Sequence, residues 1–196
     1  MRLDNPFEFD TAAVVGNGPG LLDADYGEQI DAHDRVFRFH NFKICNDIVK
    51  HTGSKVTDWV NSYYRNDYNN PGCKNIYCPL PLNQLEWYDL SLKFYDGQHD
   101  WHKAIRDHAI CQPWRLYAWL LALHTHPSTG LSLLWWMYQT RPERLAGVAI
   151  YGFDNFKPDE QGNYHYWEKN SNGGHNGELE KYFMRELIQK GGGEWI

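Results

Sequence analysis

The stretch Thr11-Ala12-Ala13-Val14-Val15-Gly16-Asn17-Gly18-Pro19-Gly20 decides the fold of this chain. Residues 11–15 form a short apolar run of small and β-branched side chains, the composition of a strand buried on both faces. The run stops abruptly at glycines, an asparagine and a proline, which predicts a tight turn. Beyond it a short helix is expected over residues 21–30, closed by the polar Asp31-Ala32-His33-Asp34. Strand signals return at residues 36–39, at residues 56–60 and at Asn75–Cys78 ahead of Pro79. Pro113 suits the first turn of a helix, and Trp114–Leu123 carries that helix. A second helix is predicted over residues 130–139, a buried strand over 149–151 and an amphipathic closing helix over 178–189. Alternating strands and helices predict a single α/β domain over residues 1–196, Rossmann-like, with a mostly parallel central sheet flanked by helices. Residues 63–112, rich in Tyr, Asp, His and Pro, read as a variable, loop-rich insertion suited to a substrate lid.

Composition narrows the function classes. The 196 residues are 42% hydrophobic, enough for one sizeable core. With 9 Trp, 13 Tyr and 9 Phe the chain is too aromatic to be disordered. Lys+Arg number 19 against 25 Asp+Glu, a net charge of −6, so no basic field is available for a nucleic-acid partner. The most apolar window, residues 114–137, is broken by Arg115, His124, His126 and Pro127-Ser128-Thr129-Gly130, so no membrane span is expected. Met1-Arg2-Leu3-Asp4-Asn5-Pro6 lacks the apolar run of a secretory signal. Cys45, Cys73, Cys78 and Cys111 show no CxxC spacing and no matching His pair. They read as free thiols of a reducing compartment, and a cytoplasmic location follows as the expectation.

Several segments have the chemistry of a site. The glycines of residues 16–20 let backbone amides approach an anion ahead of a helix. A dinucleotide fingerprint would need glycine where Leu21 stands, so the loop is either a phosphate or nucleotide cradle or a plain strand-to-helix turn. Ser128-Thr129-Gly130 offers hydroxyls and amides at a helix start, where an ordinary N-cap contributes ~1 kcal/mol. Among ten histidines, His124-Thr125-His126 sits at a helix end and suits capping. His165 and His175 lie in polar loops after the last strand of the α/β pattern, where a general base would sit. Asp23-Ala24-Asp25 spells the DxD of metal-dependent sugar transferases, but it follows no apolar strand and reads as solvated surface. No catalytic metal is expected.

Taken in order, these segments resemble the four sialylmotifs of the eukaryotic-type sialyltransferases, glycosyltransferase family 29. Ala13-Val14-Val15-Gly16-Asn17-Gly18-Pro19, Tyr26-Gly27 and Ile30-Asp31-Ala32-His33-Asp34-Arg35-Val36-Phe37-Arg38-Phe39 resemble motif L, closed by Gly53-Ser54-Lys55. Pro127-Ser128-Thr129-Gly130-Leu131 with Val148-Ala149-Ile150-Tyr151-Gly152-Phe153 resembles motif S. His165-Tyr166-Trp167-Glu168 resembles motif III, and His175 with Glu180 the His-x4-Glu of motif VS. The bacterial family 42 enzymes have a related loop, but Tyr151-Gly152-Phe153 and the His-x4-Glu favour family 29. Two departures stand out. His40 takes the place of the usual motif L asparagine, with Asn41 following. Secretory relatives also join motifs L and S by a disulfide, where this chain has Ala12 or Ala13 and Leu145. A compact, cytosolic, microbial member is the expectation.

The resemblance implies transfer of sialic acid from CMP-sialic acid to a glycan hydroxyl, with inversion, no metal and no cofactor. It implies His175 as the base, His165 at the leaving phosphate, and a substrate-binding set of Asn17, Gly18, His40, Asn41, Ser128, Thr129, Gly130, Gly152, Phe153 and Glu180. A CMP-Kdo transferase on the same scaffold, a non-catalytic CMP- or glycan-binding module and a dinucleotide enzyme are the alternatives. Retention of both histidines disfavours the second, and Leu21 the third.

Overall fold

In the computed structural model, which describes residues 6–61, 73, 75–78, 110–123, 127–167 and 175–196, the opening run forms β1, Ala12–Val15. All four of its residues are buried, because β1 lies inside the sheet with helices on both faces. Ala12 and Val14 face one apolar cluster and Ala13 and Val15 the other, as period-two alternation requires. The remaining strands are β2 (Arg35–Phe39), β3 (Asp58–Val60), β4 (Asn75–Cys78), β5 (Ile110–Cys111), β6 (Val148–Tyr151) and β7 (Glu194–Trp195). Their order is β5-β4-β3-β2-β1-β6-β7, and every pairing is parallel.

The chain therefore steps from β1 outward to β5, then returns past β1 to lay β6 and β7 on its other side. That reversal puts the switch point, the crevice where doubly wound sheets bind ligands, at the carboxyl ends of β1 and β6. Beside one face lie α3 (Trp114–Leu123), α4 (Thr129–Thr140) and α5 (Gly177–Gly191), whose Leu120, Leu131, Leu134 and Leu187 join the larger cluster. Trp135 Nε1 donates to the Leu116 carbonyl at 2.8 Å and joins α3 to α4. The other face is covered by Leu21 and Ile30.

The helix expected over residues 21–30 is two pieces: a 3₁₀ turn at Pro19–Leu22 and α1 at Gly27–Ala32. Leu21 and Ile30 are buried separately, and the exposed Asp23, Ala24 and Asp25 between them bend away from the core. Asp25 pairs with Lys50 at 3.4 Å and His51 at 3.2 Å, so the DxD sits on the surface as expected. Four short elements escaped the sequence reading: α2 (Val49–Thr52), a 3₁₀ helix at Pro142–Gly147, β5 and β7. β4 and β5 also carry the sheet into the segment expected to be an insertion, most of which lies outside the described residues. Cys45, Cys73 and Cys78 form no disulfide, and Ala12 and Leu145 share the larger apolar cluster. Among the described residues, no helix is long and apolar enough to cross a membrane.

A polar cluster pins the sheet at the amino ends of β2, β3 and β4. The fully buried Asp58 carboxylate accepts from Arg35 Nε at 2.5 Å, from a second Arg35 nitrogen, from Thr57 Oγ1 at 2.6 Å and from Asn75 Nδ2 at 3.0 Å. Removing it would strand a largely buried guanidinium, so Asp58→Ala should lose about 3–5 kcal/mol in urea unfolding. A loss under about 1 kcal/mol would mean the pair behaves like a surface salt bridge.

Candidate active site

The crevice is built from four strand ends. After β1, the Gly16 and Gly18 amides donate to the carbonyls of Tyr151 (2.7 Å) and Gly152 (2.9 Å), lacing this loop to the end of β6. The Gly20 amide donates to Asp154 Oδ2 at 2.7 Å. A Cβ at Gly18 or Gly20 would overlap the Asp154 carboxylate, which is why the loop needs glycine there. Burial pushes the Asp154 pKa up, the Gly20 amide opposes that shift, and nearby Asp23 adds to it. The glycine loop is thus no open amide cradle. Its amides at 16, 18 and 20 are engaged internally, and what it presents is Asn17. Asn17 Nδ2 donates to the Phe39 carbonyl at 3.0 Å, while its Oδ1 is buried and has no hydrogen-bond partner among the described residues.

After β2, His40 adopts φ 48°. That left-handed backbone suits Asn and His far better than bulky residues. Its Nδ1 lies 3.0 Å from Asn61 Oδ1, and its Nε2 2.9 Å from Thr129 Oγ1. With the amide oxygen accepting from Nδ1–H, Nε2 accepts the Thr129 hydroxyl. His40 thereby ties the start of α4 to the ends of β2 and β3. Asn41 follows it, half-buried, in the same loop.

Ser128 caps α4: its Oγ accepts from the Leu131 amide at 3.1 Å and donates to Glu180 Oε2 at 2.7 Å. The Ser128 amide donates to Glu180 Oε1, also at 2.7 Å. Glu180, on the first turn of α5, is 1% exposed. Ser128 and Glu180, both expected at the substrate, bind one another, and Glu180 anchors the α4 start to α5. Burial pushes the Glu180 pKa up to about 7, against the pull of the two Ser128 donors. Gly130 packs on the Phe153 ring so closely that a Cβ would overlap it, and Phe153 meets Phe39 edge-on at 5.7 Å. Gly152, at φ 64°, makes the turn between β6 and Phe153.

The later loops close over this end of the sheet. The Tyr166 amide donates to the Asn17 carbonyl at 3.1 Å, while its phenol accepts from the Lys43 amide and donates to the Lys43 carbonyl. His165, beside it, contacts the Trp167 ring at 4.9 Å. His175 stacks on Phe156 at 4.7 Å, just before Asn176, the N-cap of α5. Lys55 Nζ serves the carbonyls of Asp31 and His33, which keeps the lysine of the motif L end away from the crevice. The 124–126 histidines, Glu168 and Asn172-Gly173-Gly174 lie outside the described residues. Among the described residues no group of three His, Cys, Asp or Glu is placed to hold a metal. Sequence reasoning missed Asp154 and the Asn155-Phe156 turn. The overlap of Asp154 with two glycines depends on a contact between residues 134 positions apart, which no local pattern carries.

Comparisons with known proteins agree with this architecture. A mammalian sialyltransferase in complex with Gal-β-1-3GalNAc-ortho-nitrophenol matches with TM-score 0.62 and 22% identity, over 95% of this chain and 68% of that one. The Campylobacter jejuni sialyltransferase CstII with cytidine-5'-monophosphate matches with TM-score 0.58 and 12% identity, over 96% and 80%. The fold is thus the Rossmann-like α/β domain of sialyltransferases. The profile of glycosyltransferase family 29 (sialyltransferase) matches residues 3–75. Human CMP-N-acetylneuraminate-beta-galactosamide-alpha-2,3-sialyltransferase 1 is 28% identical over 177 residues, 83% of this chain and 49% of its own length. A rice sialyltransferase-like protein 5 is 43% identical over 51 residues, 26% of this chain and 11% of its own. Over residues 3–75 the chain is similar to glycosyltransferase family 29, and it spans about half the length of the human relative.

The Glu180 anchor has a pH signature. The folded state holds the Glu180 proton between the ordinary carboxyl range near 4.5 and about 7, where the unfolded chain releases it. Stability should therefore fall as pH rises through that window, by about 3 kcal/mol at most. Glu180→Gln can still accept from the Ser128 amide without carrying charge. Its melting temperature relative to wild type should rise between pH 5 and pH 8, and a flat difference would contradict the shift.

Proposed function

We propose that this chain is an inverting, metal-independent transferase that moves sialic acid from CMP-sialic acid to a hydroxyl of a glycan acceptor. The observation that carries the reading is the mutual contact of the motif-like segments at one end of the sheet. Tyr166 reaches Asn17, Glu180 holds Ser128, and His40 meets Thr129. The relatives add support: CstII was solved with cytidine-5'-monophosphate and a mammalian enzyme with a Gal-β-1-3GalNAc derivative.

In this reading Asn17 Oδ1, buried and unpartnered among the described residues, accepts a hydrogen bond from the nucleotide. Asn41 and the segment Gly152-Phe153 line the same end. His175 takes the proton of the acceptor hydroxyl as its oxygen attacks the anomeric carbon, and the bond to the CMP phosphate breaks on the opposite side. His165, with the Thr129 and Gly130 amides at the α4 start, stabilises the charge left on the phosphate. Nothing in this scheme needs a metal, and the exposed, ion-paired Asp25 is remote from such a role. The reaction belongs in the cytoplasm, in keeping with Ala12 or Ala13 and Leu145 at the places where secretory relatives form a disulfide.

Two measurements test the proposal. CMP release should be faster with CMP-sialic acid than with CMP-Kdo, should need a glycan acceptor for full rate and should survive EDTA. Preference for CMP-Kdo would move the donor to another keto-sugar, and loss of activity in EDTA with rescue by Mn²⁺ would overturn metal independence. His175→Ala should lower kcat by ~10²-fold or more and leave CMP affinity nearly intact. A folded His175→Ala variant with near-wild-type kcat would remove the base.

A further inference from the structure

The turn after β6 contains two consecutive non-glycine residues in the left-handed region, Asn155 at φ 54° and Phe156 at φ 58°. Asparagine adopts that conformation readily, whereas a phenylalanine there is an outlier that persists only where its surroundings hold it. What holds it is α5. A Cβ on Gly177, the first residue of that helix, would overlap the Asn155 carbonyl, so the helix start rests directly on the turn. Two residues earlier in the chain, the His175 imidazole lies over the Phe156 ring, centroids 4.7 Å apart and planes 23° from parallel.

Among the described residues, core packing does not account for this ring. Phe156 is half-exposed and belongs to neither apolar cluster, unlike Phe153 three residues before it. An asparagine or glycine would satisfy the backbone at less strain, yet would leave the imidazole without its stacking face. The strained backbone aims the ring at one side chain, the base of the proposed reaction.

We propose that Phe156 is a positioning residue. Its ring fixes the plane of the His175 imidazole, so that the nitrogen meets the acceptor hydroxyl in an orientation from which it takes the proton. The proposal rests on the reading of His175 as the base, and its test separates the two. Phe156→Asn relieves the left-handed strain, so its melting temperature should equal or exceed that of the wild type. Its kcat should nonetheless fall about tenfold or more, as loss of orientation predicts, with donor KM and CMP affinity within about twofold. Phe156→Tyr, which keeps the ring, should stay within about twofold of wild type, and Phe156→Leu, which keeps apolar bulk alone, should behave like Phe156→Asn. In a His175→Ala background Phe156→Asn should cost nothing further, because its effect passes through the imidazole. Near-wild-type kcat in Phe156→Asn, or equal loss in Phe156→Tyr, would overturn the positioning role. If His175→Ala itself is fully active, the base reading falls and takes this proposal with it. If only His175→Ala is impaired, Phe156 alone is excluded.

Discussion

One buried carboxylate sets the geometry of this end of the molecule. Glu180 accepts both the amide and the hydroxyl of Ser128, and through that pair it clamps the start of α4 to the first turn of α5. Neither helix end could be placed independently. The Ser128 hydroxyl still caps α4 by accepting the Leu131 amide, so one side chain serves the helix and the clamp together. Thr129 then lies beside His40 at the ends of β2 and β3, and α5 begins against the Asn155 carbonyl with His175 at its approach. The carboxylate works at a cost, since burial resists its charge near neutral pH. Such a buried group is best regarded as fixing geometry rather than adding stability.

The strand-end loops share a second constraint, which is that their backbone groups are mostly satisfied by one another. The Gly16 and Gly18 amides bond to the end of β6, Gly20 bonds to Asp154, and the Asn17 carbonyl takes the Tyr166 amide. A loop wired in this way offers a ligand side chains in fixed positions rather than a nest of free amides. That distinguishes the site from the phosphate-binding turns of dinucleotide folds, where glycine amides face the anion directly.

Much of this was legible in the sequence. The alternation of Ala12, Ala13, Val14 and Val15 between two apolar clusters follows from four apolar residues bounded by a glycine turn. The Trp114–Leu123 helix and the Asn75–Cys78 strand have the limits expected, because Pro113 and Pro79 bound them locally. β5 and β7 were not legible. Each is two residues long and acquires strand character only from the neighbour it pairs with, β4 and β6 respectively. The helix expected over residues 21–30 failed for a related reason. Gly27 must fit against the backbone of α2, a tertiary contact that splits the segment. The roles of Ser128 and Glu180 show the same limit: residue types and order identified the segments, but only the fold reveals that the two bind each other, 52 positions apart.

The central claim is that the crevice between β1 and β6 holds the nucleotide of a CMP-sugar. A crystal structure of the protein soaked with CMP tests it most directly. The account predicts the nucleotide beyond the carboxyl ends of β1 and β6, with Asn17 Oδ1 accepting a hydrogen bond from it and Thr129 on the phosphate side. Nucleotide bound away from this crevice, with Asn17 Oδ1 still unpartnered, would contradict it.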